Sequence, residues 1–213
     1  MILKAKQTLL MTGDSITDCE RLRPLGKPDW WLGNGYVAMV NALLNARYPE
    51  TPVRVLNTGI GGNRVIDLAD RWEDDVLAHK PDWVSIMIGI NDVWRHFDNE
   101  LEQRQVSLEE FEQVLTGLVR KTRRSISGII LITPFFIEGN PEDPMRKMMD
   151  LYSAAVKKIA QANDTVFVDT QDAFDAFLKH RPTQALCGDR VHPNPIGHMI
   201  IARAFLNAIE FAW

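Results

Sequence analysis

The sequence predicts an α/β protein: a three-layer α/β/α sandwich with a five-stranded parallel sheet. Three observations predict it. Short apolar, β-branched runs recur along the chain, segments with helical spacing lie between them, and the runs are apolar throughout rather than at every second residue. That last feature marks strands buried on both faces. With the alternation of strand and helix it implies a parallel sheet covered by helices, whose ligands bind at the carboxyl ends of the strands.

The first strand is expected over Thr8 to Thr12, followed by the turn Gly13-Asp14-Ser15-Ile16-Thr17-Asp18. Such a turn delivers Ser15 to the carboxyl edge of the sheet, where a helix can start and its N–H groups face anions. Glu20 to Gly35 reads as a long loop near the site, since long loops in compact domains are often functional. Helical spacing runs from Tyr36 to Arg47, and a second strand from Val53 to Leu56 leads into Asn57-Thr58-Gly59-Ile60-Gly61-Gly62-Asn63-Arg64. A helix over Val65 to Ala78 precedes the third strand, Trp83 to Ile88, which ends at Gly89-Ile90-Asn91-Asp92. The next helix, Leu108 to Ile126, starts with Ser107 and Glu110 spaced as a capping box. After a fourth strand, Ile129 to Thr133, Pro144 behind Asp143 suits the first position of a helix over Met145 to Ala162. A fifth strand at Thr165 to Val168, the motif Asp189-Arg190-Val191-His192-Pro193 and a last helix, Ile196 to Ile209, complete the chain.

The 213 residues suit one domain spanning 1–213, without internal repeat, low-complexity tract or linker. Apolar residues at 46% and charged residues at 24% supply an ordinary packed core. A net charge of −4 with scattered basic residues gives no footprint for nucleic acid or anionic membrane, and favours a neutral or weakly charged substrate. No apolar run approaches the roughly 18 residues of a membrane span. Cys19 and Cys187 stand far apart in the chain and in no CxxC arrangement, so neither a metal site nor a disulfide is expected. The N-terminal residues lack a basic region, a long apolar stretch and a cleavage site, which places the expected location in the cytoplasm.

The two outer motifs together supply a serine, an aspartate and a histidine. The offset from Asp189 to His192 lets both side chains reach one pocket, with the carboxylate holding the imidazole in the tautomer that accepts a proton from Ser15. The glycine-rich turn after the second strand is not a dinucleotide fingerprint, because GxGxxG from Gly59 would need glycine where Arg64 stands. It can instead offer backbone N–H groups to a developing negative charge, and Asn91 can add a side-chain N–H.

These four blocks, Gly-Asp-Ser at 13–15, the glycine at 62, Gly-x-Asn-Asp at 89–92 and Asp-x-x-His at 189–192, resemble the SGNH or GDSL hydrolase family in order and spacing. Trp83 to Trp94, Ile129 to Met149 and Val191 to Leu206 look most like its intracellular acetylxylan esterase branch. The resemblance implies a flavodoxin-like sheet order and an esterase that removes acetyl groups from xylo-oligosaccharides without metal or organic cofactor. It makes Ser15 the nucleophile, His192 the base and then acid, and Asp189 its orienting carboxylate. Ser15 N–H, Gly62 N–H and the Asn91 amide would form the oxyanion hole. An aromatic residue precedes the triad aspartate in that branch, whereas Cys187-Gly188 stand here. A lysophospholipase or thioesterase using the same residues is the alternative activity, and a non-catalytic carbohydrate-binding protein the alternative class.

Trp30, Trp31, Trp94, Phe135 and Phe136 are the candidate substrate wall, since aromatic faces suit sugar rings and acyl chains alike. Asp14 and Asp92 are expected to fix their turns rather than do chemistry. His198 belongs to the last helix as a core or surface residue, and His79, His96 and His180 are expected to face solvent. Phe211 and Trp213 suggest docking on the body or on a second copy in a homo-oligomer.

Overall fold

The computed structural model describes residues 1–23, 25, 31–98 and 104–213. Among them, β1 (Thr8–Gly13), β2 (Arg54–Asn57), β3 (Trp83–Met87), β4 (Gly128–Ile132) and β5 (Val166–Val168) form one all-parallel sheet ordered β2-β1-β3-β4-β5. Each strand falls within a residue of its expected bounds at either end. The helices are α1 (Ser15–Asp18), α2 (Tyr36–Arg47), α3 (Val65–Asp70), α4 (Trp72–Asp75), α5 (Ile90–Trp94), α6 (Leu108–Arg123), α7 (Pro144–Ala162), α8 (Thr170–Leu178) and α9 (Pro195–Ala208).

The all-apolar strands are explained by their surroundings. Leu9, Leu10 and Met11 of β1 are wholly buried, as are Val84 of β3 and Ile130 and Leu131 of β4. Burying each such side chain contributes about 1.5–3 kcal/mol, and consecutive residues point to opposite faces, so both faces must be covered. α2 and α8 pack on α9 in one helical group, and α3 and α7 pack on α6 in the other. Right-handed crossovers require this division, because the chain steps from β1 outward to β2 and then reverses to reach β3, β4 and β5. The reversal opens a crevice between the carboxyl ends of β1 and β3, where the Ser15 turn and the Asn91 turn emerge.

The structure alters three local expectations. The helix expected over Val65 to Ala78 breaks at Arg71 (φ −101°, ψ 6°) into α3, α4 and a 3₁₀ turn at Leu77–His79. α8 fills a segment for which no helix was expected; Asp169 caps it by accepting the Asp172 N–H at 3.0 Å. At α6, Ser107 Oγ accepts the Glu110 N–H at 3.2 Å, but the Glu110 carboxylate holds Arg104 at 2.6 Å instead of closing the capping box. At α7, Asp143 Oδ1 accepts the Met145 and Arg146 N–H groups at 2.9 and 3.1 Å with Pro144 at the first position, as the sequence indicates.

Candidate active site

The turn after β1 is built by Asp14, whose buried carboxyl caps α1 by accepting the Ile16 N–H at 3.0 Å. This places Ser15 at the first position of α1, half-buried at the crevice. The Asp189–His192 loop reaches the same point from the start of α9. Asp189 Oδ1 accepts the Val191 and His192 N–H groups at 3.0 and 2.9 Å, which shapes the loop, while Oδ2 takes His192 Nδ1 at 2.6 Å. His192 Nε2 lies 2.9 Å from Ser15 Oγ. With Nδ1–H donated to a carboxylate, Nε2 carries the lone pair and Ser15 Oγ–H donates to it.

Partial burial works to raise the Asp189 pKa, but the His192 ring and the two backbone N–H groups outweigh it and hold the carboxylate below its ordinary range. Asp189 therefore stays charged beside His192 and favours the imidazolium that forms when Ser15 loses its proton. The His192 and Asp189 side chains are 46% and 44% exposed, so the pair sits at an open mouth rather than in a sealed chamber.

The glycine turn lies against α1. Ile60 N–H donates to Gly13 O at 3.1 Å and Gly61 N–H to Asp18 Oδ2 at 3.2 Å, and a Cβ on Gly59 would come 2.3 Å from Asp18 N. Only glycine permits that approach. Gly62 has φ +79°, and among the described residues no hydrogen bond occupies its N–H. Asn91, on α5, donates one Nδ2 hydrogen to Asn63 O at 3.0 Å, next to Gly62. Asp92 accepts the Val65 N–H with both oxygens, at 3.0 and 3.1 Å, and so ties the Asn91 helix to the start of α3. Asp14 and Asp92 thus hold the turns together, as the sequence suggests. Burial pushes each carboxyl up to about 7.

Of the expected substrate wall, Trp94 lies beside the triad, its ring 6.1 Å from that of His192 and tilted by 55°. Trp31 is 49% exposed and its carbonyl receives the Leu22 N–H at 3.5 Å, within the loop that follows α1. Trp30 lies outside the described residues. Phe135 and Phe136 correct the expectation: both are buried, at 0% and 1% exposure. After β4 the chain turns inward rather than along the rim. Phe135 packs on Phe174 at 4.4 Å, and Phe136 is pinned by its N–H to Gln171 Oε1 at 2.8 Å beneath the Arg190 guanidinium, 4.7 Å from its ring. Phe136 thereby meets the Asp189–His192 loop at Arg190.

Sequence reasoning gave His198 no site contact, yet it helps line a cleft of about 330 Å³ with Ser15, Cys19, Glu20 and His192. His198 Nδ1 accepts the Tyr36 N–H at 3.2 Å, which leaves Nε2–H facing Cys19 Sγ at 3.5 Å; burial pushes its pKa down to about 4. Its place in the apolar stripe of α9 concealed this. His79 and His180 are exposed, whereas His96 is half-buried with Nε2 3.0 Å from Val106 O. Cys19 and Cys187 are unpaired thiols. Gly188, before the triad aspartate, faces open space, and a Cβ there would meet nothing within 4 Å. A larger groove, about 550 Å³ between α8 and α9, contains none of these residues.

A hydroxyl, an imidazole and a carboxylate bonded in that order at the switch point of a doubly wound sheet define a serine hydrolase. Residues 11–200 match the GDSL-like Lipase/Acylhydrolase family; the chain belongs to it and is a carboxylic ester hydrolase of the SGNH/GDSL type. It is 55% identical, over 100% of its length and 98% of the relative's, to an acetylxylan esterase of Geobacillus stearothermophilus. A crystal structure of an acetylxylan esterase from that organism has a TM-score of 0.97 at 55% identity and covers 100% of this chain and 98% of that one. Catalytic mutants of that esterase with a serine, a histidine or an aspartate replaced by alanine superpose equally well, with TM-scores of 0.97, 0.97 and 0.96. An alpha/beta hydrolase enzyme from the metagenome of Lake Arreo, Spain, is 46% identical with a TM-score of 0.94, covering 99% of this chain and 98% of that one.

Proposed function

We propose that this ester hydrolase removes acetyl groups from acetylated xylo-oligosaccharides through an acyl-enzyme on Ser15. One observation carries the reading: the hydrogen-bonded Ser15–His192–Asp189 chain occurs in a protein alike end to end with an acetylxylan esterase. His192 Nε2 takes the Ser15 proton as Oγ attacks the acetyl carbonyl. Ser15 N–H, Gly62 N–H and the second Asn91 Nδ2 hydrogen receive the oxyanion. The bond between the acetyl carbon and the sugar oxygen breaks as His192 gives that oxygen its proton; a water that His192 deprotonates then attacks the acetyl-enzyme, and His192 returns the proton to Ser15 Oγ as acetate leaves. No step draws on a metal or an organic cofactor.

Trp94, beside His192, supplies a face for the sugar ring, and Trp31 extends the wall on the loop after α1. Residues 1–213 act as a single hydrolase domain, a reading supported by the one sheet that gathers strands from Thr8 to Val168. Unpaired Cys19 and Cys187 fit a reducing compartment, the cytoplasm, and no helix among the described residues is long and apolar enough to cross a membrane. Phe211 docks on Tyr48 with ring centroids 5.6 Å apart, while Trp213, 61% exposed, is offered to a second copy in a homo-oligomer.

The test is kcat/KM for acetate release from acetylated xylo-oligosaccharides beside a long-chain acyl ester. A preference for the acetylated sugar supports the reading. A preference for the long chain makes the enzyme a lipid-type acyl hydrolase.

A further inference from the structure

The guanidinium of Arg71 sits at the break between α3 and α4 and touches neither Ser15 nor His192. Its donors are spent on the loops that carry the site. Nε–H donates to Asn63 Oδ1 at 2.7 Å, Nη1 to Thr58 O at 2.6 Å and to Asp75 Oδ2 at 2.9 Å, and Nη2 to Gly13 O at 3.0 Å. Gly13 leads into the Ser15 turn and Thr58 leaves β2. Asn63 adjoins Gly62, and its carbonyl holds the Asn91 amide at 3.0 Å. One planar fork therefore bonds the chain two residues before Ser15 and one residue after Gly62, and reaches Asn91 through Asn63. The Arg71 side chain is only 13% exposed, and Asp75, 34% exposed, balances its charge.

We propose that Arg71 is the positioning residue of the oxyanion hole, holding the Ser15 turn, the Gly62 turn and the Asn91 amide in one fixed arrangement. The inference rests on the proposed acyl-enzyme mechanism. A hydrogen-bond donor stabilises the tetrahedral intermediate only if it already points at the place where the charge appears. Three donors on three separate loops need a shared anchor, and the fork geometry of arginine satisfies several carbonyls at once where the point charge of lysine does not. The expected helix breaks at Arg71 itself, the residue whose side chain reaches these loops.

The test compares parent, Arg71→Lys, Arg71→Ala and Asn63→Ala with 4-nitrophenyl acetate, after thermal melts have established which variants fold. Arg71→Lys is expected to lower kcat about tenfold to a hundredfold while KM stays within about threefold, the mark of contacts made in the transition state. The affinity of a boronic acid that forms a tetrahedral adduct on Ser15 falls with kcat, and millimolar guanidinium restores part of the Arg71→Ala activity. If Arg71→Ala does not fold, the Arg71→Lys/Asn63→Ala cycle decides. Losses well short of additive support a shared anchor, and strictly additive losses overturn it. An unchanged kcat in folded Arg71→Lys, or a rise in KM alone, also overturns the inference. Full activity in Ser15→Ala would overturn the mechanism beneath it, a separate outcome.

Discussion

Asn91 bonds one Nδ2 hydrogen to Asn63 O, and its second is the one proposed to meet the oxyanion. Asn91→Ala removes a contact made only as the tetrahedral charge develops, so kcat is expected to fall by about 3 kcal/mol, roughly a hundredfold, with little change in KM. Steady-state kinetics on an acetyl ester check this, and unchanged kcat would remove Asn91 from the hole. Gly62 tests the same hole through the backbone. A methyl group there has space, but φ +79° disfavours any residue with a Cβ by about 1–2 kcal/mol. Gly62→Ala should therefore fold and lose kcat as its N–H swings away; a variant with parental kcat would contradict that role. At this scale the hydrogen-bonded grouping of Ser15, His192 and Asp189 was legible in the sequence, because two short motifs bring those side chains to one sheet edge. Phe135 and Phe136 were misread, since a strand's end locates residues near the rim without saying which way the chain turns.

The element that sets the triad is α9. Asn194 caps it, accepting the Ile196 and Gly197 N–H groups at 2.9 and 3.3 Å, and donates Nδ2 to Ala185 O at 3.0 Å. It thereby ties the segment before the triad to the helix behind it. Asn194→Ala is expected to cost about 1–2 kcal/mol of stability, measured by urea unfolding, and to lower kcat because His192 loses its rigid base. A stable variant with full activity would show that the loop is held without the cap. Long apolar-periodic segments were legible as helices: α2 has its expected bounds and α7 and α9 nearly so. Four- and five-residue helices such as α1 and α5 are too short to show a period. The expected Val65 to Ala78 helix breaks at Arg71, whose side chain bonds carbonyls distant in sequence, a pairing that no local pattern records.

Across the whole molecule, three buried titratable groups set opposing pH dependences. Burial raises Asp14 and Asp92 from 3.8 to about 7, so the folded chain binds more protons than the unfolded one and stability falls as pH rises from about 4 to about 7. His198 runs the other way. Its pKa of about 4 in the fold, against an ordinary 6.5, makes stability rise with pH across that lower window. Asp92→Asn keeps an oxygen for the Val65 N–H and removes the charge. It is expected to stabilise the protein at pH 8, on the order of 2 kcal/mol, and to change little at pH 4.5. Thermal melts at the two pH values check it, and an equal shift at both would contradict the buried-carboxyl account. The sheet order needed only strand runs and handedness to be legible, whereas these couplings depend on which side chains the fold buries together.

The central claim is that Ser15 is the nucleophile, activated by His192. The most direct measurement is mass-spectrometric mapping of the site modified by a fluorophosphonate, together with ester hydrolysis by parent, Ser15→Ala and His192→Ala. The account predicts one adduct, on Ser15, no labelling and no hydrolysis in Ser15→Ala, and labelling slowed by orders of magnitude in His192→Ala. An adduct on another residue, or full hydrolysis by Ser15→Ala, would contradict it.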